Sequence, residues 1–254
     1  MILRRFTKHV TDQNWFAVGL DVLVVVAGIF LGLQFTDWNE ERTFYETETE
    51  LLQELKRELE ASILFTESRL RSFKQVADAG KQSLDFLSSG ASCGRQCWPI
   101  LVNFFHASQW QSTQVKKSTY ENMRLLGLPR NRAIVDALEV YSLESKMNAE
   151  FFAVLPYYRS IVRQLIPLEI QEYYWDHCYL QVDGAEIYET DCPSGPSDDL
   201  VSNTVDAIVQ HPDIKPHLTE WAGAIISAPE SLGSQNSTAL RAIRKIEEEL
   251  ERRQ

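Results

Sequence analysis

Across 51 residues, from 164 to 214, the chain has neither lysine nor arginine. Eleven acids stand in that stretch, from Glu169 to Asp213, and they equal the whole net charge of −11. Such a surface repels phosphate backbones, so nucleic acid is not expected as a partner. Lysine and arginine are also missing between Lys8 and Arg42, a gap that contains the apolar run Trp15 to Phe35, whose strongly polar members are Asp21 and Gln34. Catalytic signatures are missing as well: G-x-S-x-G, H-E-x-x-H, the phosphate-cradling G-x-x-x-x-G-K, the dinucleotide fingerprint and the haem-attaching C-x-x-C-H do not occur. No cofactor is expected on that basis, and the chain is not expected to be an enzyme. Alternating strand patterns are almost absent, apart from a short hairpin expected over 179–190 around Asp183-Gly184. Disorder throughout is excluded by a composition that is 44% hydrophobic and 11% aromatic.

What is there begins with the apolar run. As a helix, residues 15–35 reach about 31 Å, the thickness of a bilayer's hydrocarbon. A signal peptide is the rival reading, given the basic start of Arg4, Arg5 and Lys8. Secretory apolar regions are usually about 7 to 15 residues and end at an A-x-A-like site. This run is longer, and Leu31-Gly32-Leu33-Gln34 offers no such site, so an uncleaved anchor is favoured. Three bases against Asp12 in residues 1–14, and seven acids against Arg42 and Lys56 in residues 37–56, place the N-terminus in the cytoplasm. The expected layout is a cytoplasmic tail over 1–14, a transmembrane helix over 15–36 and an extracytoplasmic domain over 37–254. Trp15 and Trp38 mark the two interfaces.

Asp21, Val25, Gly28 and Gly32 fall on one helical face, and Gly28 to Gly32 is a GxxxG. Small residues let two membrane helices approach closely, so Asp21, Gly28 and Gly32 form an expected pairing face for a homodimer through the span. The alternative is a lipid-facing surface with a shallow, hydrated acid.

The segment Gly32-Leu-Gln34-Phe-Thr-Asp37-Trp38-Asn39-Glu40-Glu41-Arg42, following an N-terminal span, resembles an uncharacterised bacterial family of single-span membrane proteins. Its anchors end in G-x-Q-x-x-x-W-N-E and lead into a helical domain of unknown function. Ser118-Thr-Tyr-Glu-Asn-Met-Arg-Leu-Leu-Gly127 is similar to the family's T-Y-x-x-L-x-x-x-G segment, with Met123 where leucine is usual. The resemblance covers residues 1–45 and 118–141. It implies topology and an all-α fold, and it supplies no catalytic residues.

Beyond the span, Leu52, Leu55, Leu59, Ile63, Leu70, Phe73, Ala77 and Leu84 recur at helical spacing and predict a long stalk helix that ends at Ser88-Ser-Gly. Ser62, Thr66 and Arg69 spoil a strict coiled-coil seam, which favours a bundle interior. A short apolar element is expected over Trp98–Phe105. Ser118 with Glu121 reads as a capping box, and Asn131 as the cap of the next helix. Pro156 and Pro167 are expected to kink or divide the chain beyond that helix. A helix is expected from Ser197, and a last one near Thr238–Arg252.

Four cysteines, Cys93, Cys97, Cys178 and Cys192, outside the cytoplasm read as disulfides, with local pairing the simplest of three connectivities. A four-cysteine zinc site is the alternative, although the half-sites are C-x3-C and C-x13-C rather than C-x2-C. His177 beside Cys178 resembles a Cys-His couple, Glu169, Glu172 and Asp176 with Asp183, Glu186, Glu189 and Asp191 in the loop after them could hold a hard cation such as Ca²⁺, and Tyr157, Tyr158, Tyr173, Tyr174 and Trp175 could line a pocket. The bland readings are surface histidines, solvated acids and ordinary packing.

Together these features predict a non-enzymatic interaction or scaffolding protein, anchored by one span in the bacterial inner membrane with a periplasmic helical bundle. Its partners would be the lipid bilayer, a second copy and an unknown envelope protein. A ligand or divalent-cation sensor, or an envelope enzyme without a recognisable motif, are the alternatives.

Overall fold

The computed structural model describes residues 15–95, 97–182, 185–189, 192 and 195–253. The tail over 1–14, the hairpin turn at Asp183-Gly184 and the side chains of Trp15 and Asp21 lie outside these. Among the described residues there are eight helices and one two-stranded hairpin, an all-α fold with an apolar N-terminal helix. In chain order they are α1 (Trp15–Ser89), α2 (Cys97–Ala107), α3 (Ser118–Leu125), α4 (Arg132–Phe151), α5 (Tyr157–Leu165), α6 (Leu168–His177), β1 (Tyr179–Val182), β2 (Ala185–Tyr188), α7 (Asp198–Gln210) and α8 (Ile214–Arg252). The chain divides into two compact units, Met1–Leu51 and Leu52–Gln254.

In the first unit every large apolar side chain described from Leu20 to Phe35 is more than half exposed, on all sides of the helix. A helix that is apolar all round belongs in a protein core or in lipid, and this one packs into no core. It is long and apolar enough to cross a membrane. A Cβ added at Gly28 or Gly32 would meet nothing within 4 Å, so both glycines lie on bare helix surface. Polarity returns at Trp38, whose ring lies 5.8 Å from that of Phe35. One turn later Arg42 donates to Glu46 at 2.9 Å.

The second unit begins with the leucine stripe of α1. Leu52, Leu55 and Leu59 are buried, and the stripe then turns polar before Phe73, Val76 and Ala77 restore it. Ser62 and Thr66 interrupt a coiled-coil seam because they face the interior of a bundle: Tyr141 donates its hydroxyl to Ser62 at 2.8 Å, and Thr66 donates to the Ser62 carbonyl at 2.8 Å. α4 packs along α8, α2 against α7, and α5 against α2, α7 and α8. At Gly80 the missing Cβ lets α1 approach α8, since an added Cβ would sit 3.3 Å from that of Ala222.

Three local expectations are corrected. Ser118 is the first residue of α3 rather than its cap; Lys117 holds the cap position and no side chain of the helix's own caps it. The cap comes from α1: the Glu58 carboxylate accepts from the Ser118 hydroxyl (3.0 Å), the Thr119 N–H (3.1 Å) and the Thr119 hydroxyl (2.9 Å). A carboxylate there also meets the positive end of the helix dipole. The last helix starts at Ile214, not near Thr238, and runs through Pro229. Leu218, Trp221, Ile225, Leu232, Ala239, Ile243 and Ile246 bury one continuous face, and that packing outweighs the hydrogen bond lost at proline. The stalk stripe also loses Ile63, which is only half-buried, while Ser62 beside it is buried. Elsewhere Asn131 caps α4 by accepting from the Ala133 N–H, and Pro156 and Pro167 stand at the caps of α5 and α6.

Candidate functional site

The residues with the most unusual environments surround the segment after α2. Ser108, Gln109, Gln111 and Thr113 are polar, lie outside regular structure and are buried. A buried loop must find partners for its backbone, and here side chains from neighbouring helices supply them. Arg159 of α5 donates to the Ser108 carbonyl at 2.8 Å, and Arg163 Nε donates to the Ser108 hydroxyl at 2.7 Å. Arg69 of α1 donates to the Ser112 carbonyl at 3.0 Å and to the side chain of Gln111. Trp110 donates to the Phe152 carbonyl at 2.9 Å, and Thr113 to the Asn148 carbonyl at 3.1 Å.

The hairpin closes over this segment. Its strands pair antiparallel, Tyr179 opposite Tyr188 and Val182 opposite Ala185. Gln75 of α1 takes the place of a third strand: its amide donates to the Tyr188 carbonyl at 3.0 Å and accepts from the Tyr188 N–H at 3.2 Å. Ser72 donates to the Glu186 carbonyl. The Tyr188 hydroxyl accepts from Gln111 at 3.0 Å and donates to the Glu186 carboxylate at 3.2 Å. At the base of the hairpin Glu189 N–H donates to the Cys178 carbonyl at 3.0 Å. Cys178 pairs with Cys192 there, with Cα atoms 5.0 Å apart; Cys93 pairs with Cys97, Cα atoms 4.7 Å apart. Both spacings suit disulfides.

Two guanidiniums, those of Arg69 and Arg159, feel the charge of the Glu186 carboxylate, and a third, that of Arg163, lies close enough to Arg159 to be repelled by it. Burial lowers the pKa of Arg69 and of Arg159, and the Glu186 charge opposes it in both. Burial, then repulsion from Arg159, pulls Arg163 down to about 9. The Arg163 guanidinium lies 3.5 Å above the centre of the Phe105 ring, a cation–π contact in a partly dry setting. His106 is buried between the rings of Tyr174 and Tyr188, each 5.3 Å away. Burial pulls its pKa down to about 4, with the Arg163 charge acting in the same direction. It is therefore neutral at physiological pH. His106 Nε2 and Arg163 Nη2 are buried without a hydrogen-bond partner among the described residues. The Tyr174 and Tyr188 hydroxyls are pushed up, first by burial, and stay protonated.

Other expected site residues are not brought together. His177 is exposed, stacks on Tyr173 and places Nδ1 2.9 Å from the Tyr173 carbonyl, while the Cys178 sulfur is committed to Cys192. Glu169, Glu172 and Asp176 do not converge, and no group of three metal-ligating side chains forms among the described residues. The aromatic pairs split between core and rim: Tyr158 donates to the Phe104 carbonyl at 2.9 Å and Tyr174 is buried, whereas Tyr157 is exposed. The arginine cluster was missed in the sequence; its signal was the polar interruption of the α1 stripe at Ser62, Thr66 and Arg69. What the cluster can do chemically is hold the buried segment from Ser108 to Ser112 to α1 and α5 through charge-assisted hydrogen bonds. No family model, curated protein or solved structure matches the chain.

Proposed function

We propose that the chain is a membrane-anchored interaction or scaffolding protein of the bacterial envelope, with residues 1–14 in the cytoplasm and residues 37–254 in the periplasm. One combination carries this reading: a bare apolar helix of span length in a chain whose four cysteines form two pairs at disulfide distance. Disulfides persist in oxidising compartments and are rare in the cytosol. The bases Arg4, Arg5 and Lys8 support a cytoplasmic N-terminus. Membership in the single-span family that residues 32–42 and 118–127 resemble belongs to the same proposal. Pairing of two spans through Asp21, Gly28 and Gly32 is a further part of it.

Protease added to spheroplasts tests the compartment. Digestion of the domain in spheroplasts but not in intact cells is expected. Protection in spheroplasts, with cleavage only after lysis of the inner membrane, would place the domain in the cytoplasm.

A further inference from the structure

The helix α4 has two apolar faces and uses one. Ile134, Leu138 and Tyr141 face the core against α8. On a second face Val140, Leu143, Met147 and Phe151 follow at spacings of 3, 4 and 4, and they are 43%, 60%, 59% and 59% exposed. The ridge continues past the helix end into Val154, Leu155 and Tyr157, each more than half exposed. At about 200 Å² for a large side chain, these exposed fractions amount to roughly 800 Å². That exceeds the largest apolar patch of an ordinary monomer, about 300–600 Å², and equals the roughly 800 Å² that each partner contributes to a stable interface.

Beside the ridge lies a hollow of about 290 Å³, between Leu155 and Tyr157 on one wall and His217 and Trp221 on the other. Ridge and hollow are parts of one surface, which is what a two-fold contact demands, because the same patch must serve as both knob and socket. Most of the charge on α4 is paired within each copy: Arg132 with Asp136 at 2.9 Å, Lys146 with Glu150 at 3.7 Å and Arg124 of α3 with Glu139 at 3.7 Å, while Glu144 adds an acid. Pairing within each copy limits the repulsion a second copy meets here, although the whole chain carries −11. Anionic lipid would need a basic rim, and Glu150 and Glu220 on this one deny it.

We propose that this face of α4, with the hollow beside it, is a two-fold docking surface for a second copy of the chain. The proposal deepens the interaction reading by naming the partner. It does not depend on which side of the membrane the domain occupies.

A photoreactive phenylalanine analogue placed at Leu143, in full-length chain reconstituted in lipid nanodiscs, tests it. The background carries Gly28→Ile and Gly32→Ile, so that proximity through the span is removed. The expected product is a covalent homodimer in which the peptide 133–146 is joined to residues 133–159 or 214–224 of the other chain. Introducing Val140→Glu with Met147→Glu alongside the probe should lower the dimer fraction at least tenfold and leave the melting temperature unchanged. Adducts to lipid alone, no adduct, or a dimer that survives both glutamates would overturn the proposal. So would loss of folding in the double variant, since a free face tolerates charge. A reversed topology in cells would leave these outcomes unaltered, so the two readings fail separately.

Discussion

Glu58 concentrates three hydrogen bonds on one carboxylate at the start of α3, from a position 60 residues upstream of Ser118. Glu58→Ala leaves the Thr119 N–H without its acceptor, and a loss of about 1–3 kcal/mol is expected in chemical denaturation. Glu58→Gln, which keeps an acceptor oxygen, should lose less. The S-x-x-E pattern at Ser118 was legible as a helix start, yet its capping partner was not. A cap supplied from another helix leaves no local spacing to find. His106 gives a second prediction. Its folded pKa, about 4, lies below the ordinary value of 6.5, so between those values the unfolded chain binds the proton and the folded chain does not. Stability should therefore fall as pH drops from about 6.5 toward 4, by up to roughly 3 kcal/mol from this group. His106→Gln should flatten that part of the stability profile measured by thermal melting. An unchanged slope would mean that the imidazole is solvated or already protonated. In the sequence His106 reads as a surface or satisfied histidine, because nothing local announces that a loop will be buried around it.

At the scale of elements, the hairpin hangs from side-chain hooks, Ser72 and Gln75 on α1 and Gln111 on the buried segment, and is closed below by Cys178 and Cys192. Replacing both cysteines with serine should cost about 3 kcal/mol, the loop-entropy value for 15 residues. Hydrogen exchange should then rise over 179–188 before it rises in α4 or α8. Equal stability in the parent and the double serine variant would mean the pair is not formed in the cell. The span carries its own prediction. Gly28→Ile with Gly32→Ile should weaken dimerisation in a membrane two-hybrid assay, because branched side chains keep a partner backbone at a distance. Association equal to the parent's would make the stripe a lipid-facing surface. Elements with strong apolar periodicity were legible, among them the leucine stripe of α1, the division at Pro156 and Pro167, and the hairpin. α8 was legible only over its last part, near Thr238–Arg252; its full length from Ile214 through Pro229 depends on the packing of the whole helix, which local sequence does not announce.

For the whole molecule the central claim is an anchored domain outside the cytoplasm. The helix of span length was legible because an apolar run with a single acid has few physical destinations, and the two cysteine pairs because their local spacing suits disulfides. The candidate site was less legible: its arginines come from α1 and α5 and meet the segment after α2, which lie far apart in the sequence. A pair of reporters fused in turn after Gln254 tests the claim most directly. The account predicts an active periplasmic phosphatase and a dark fluorescent protein of the kind that matures only in the cytoplasm. A silent phosphatase with a bright fluorescent fusion would contradict it.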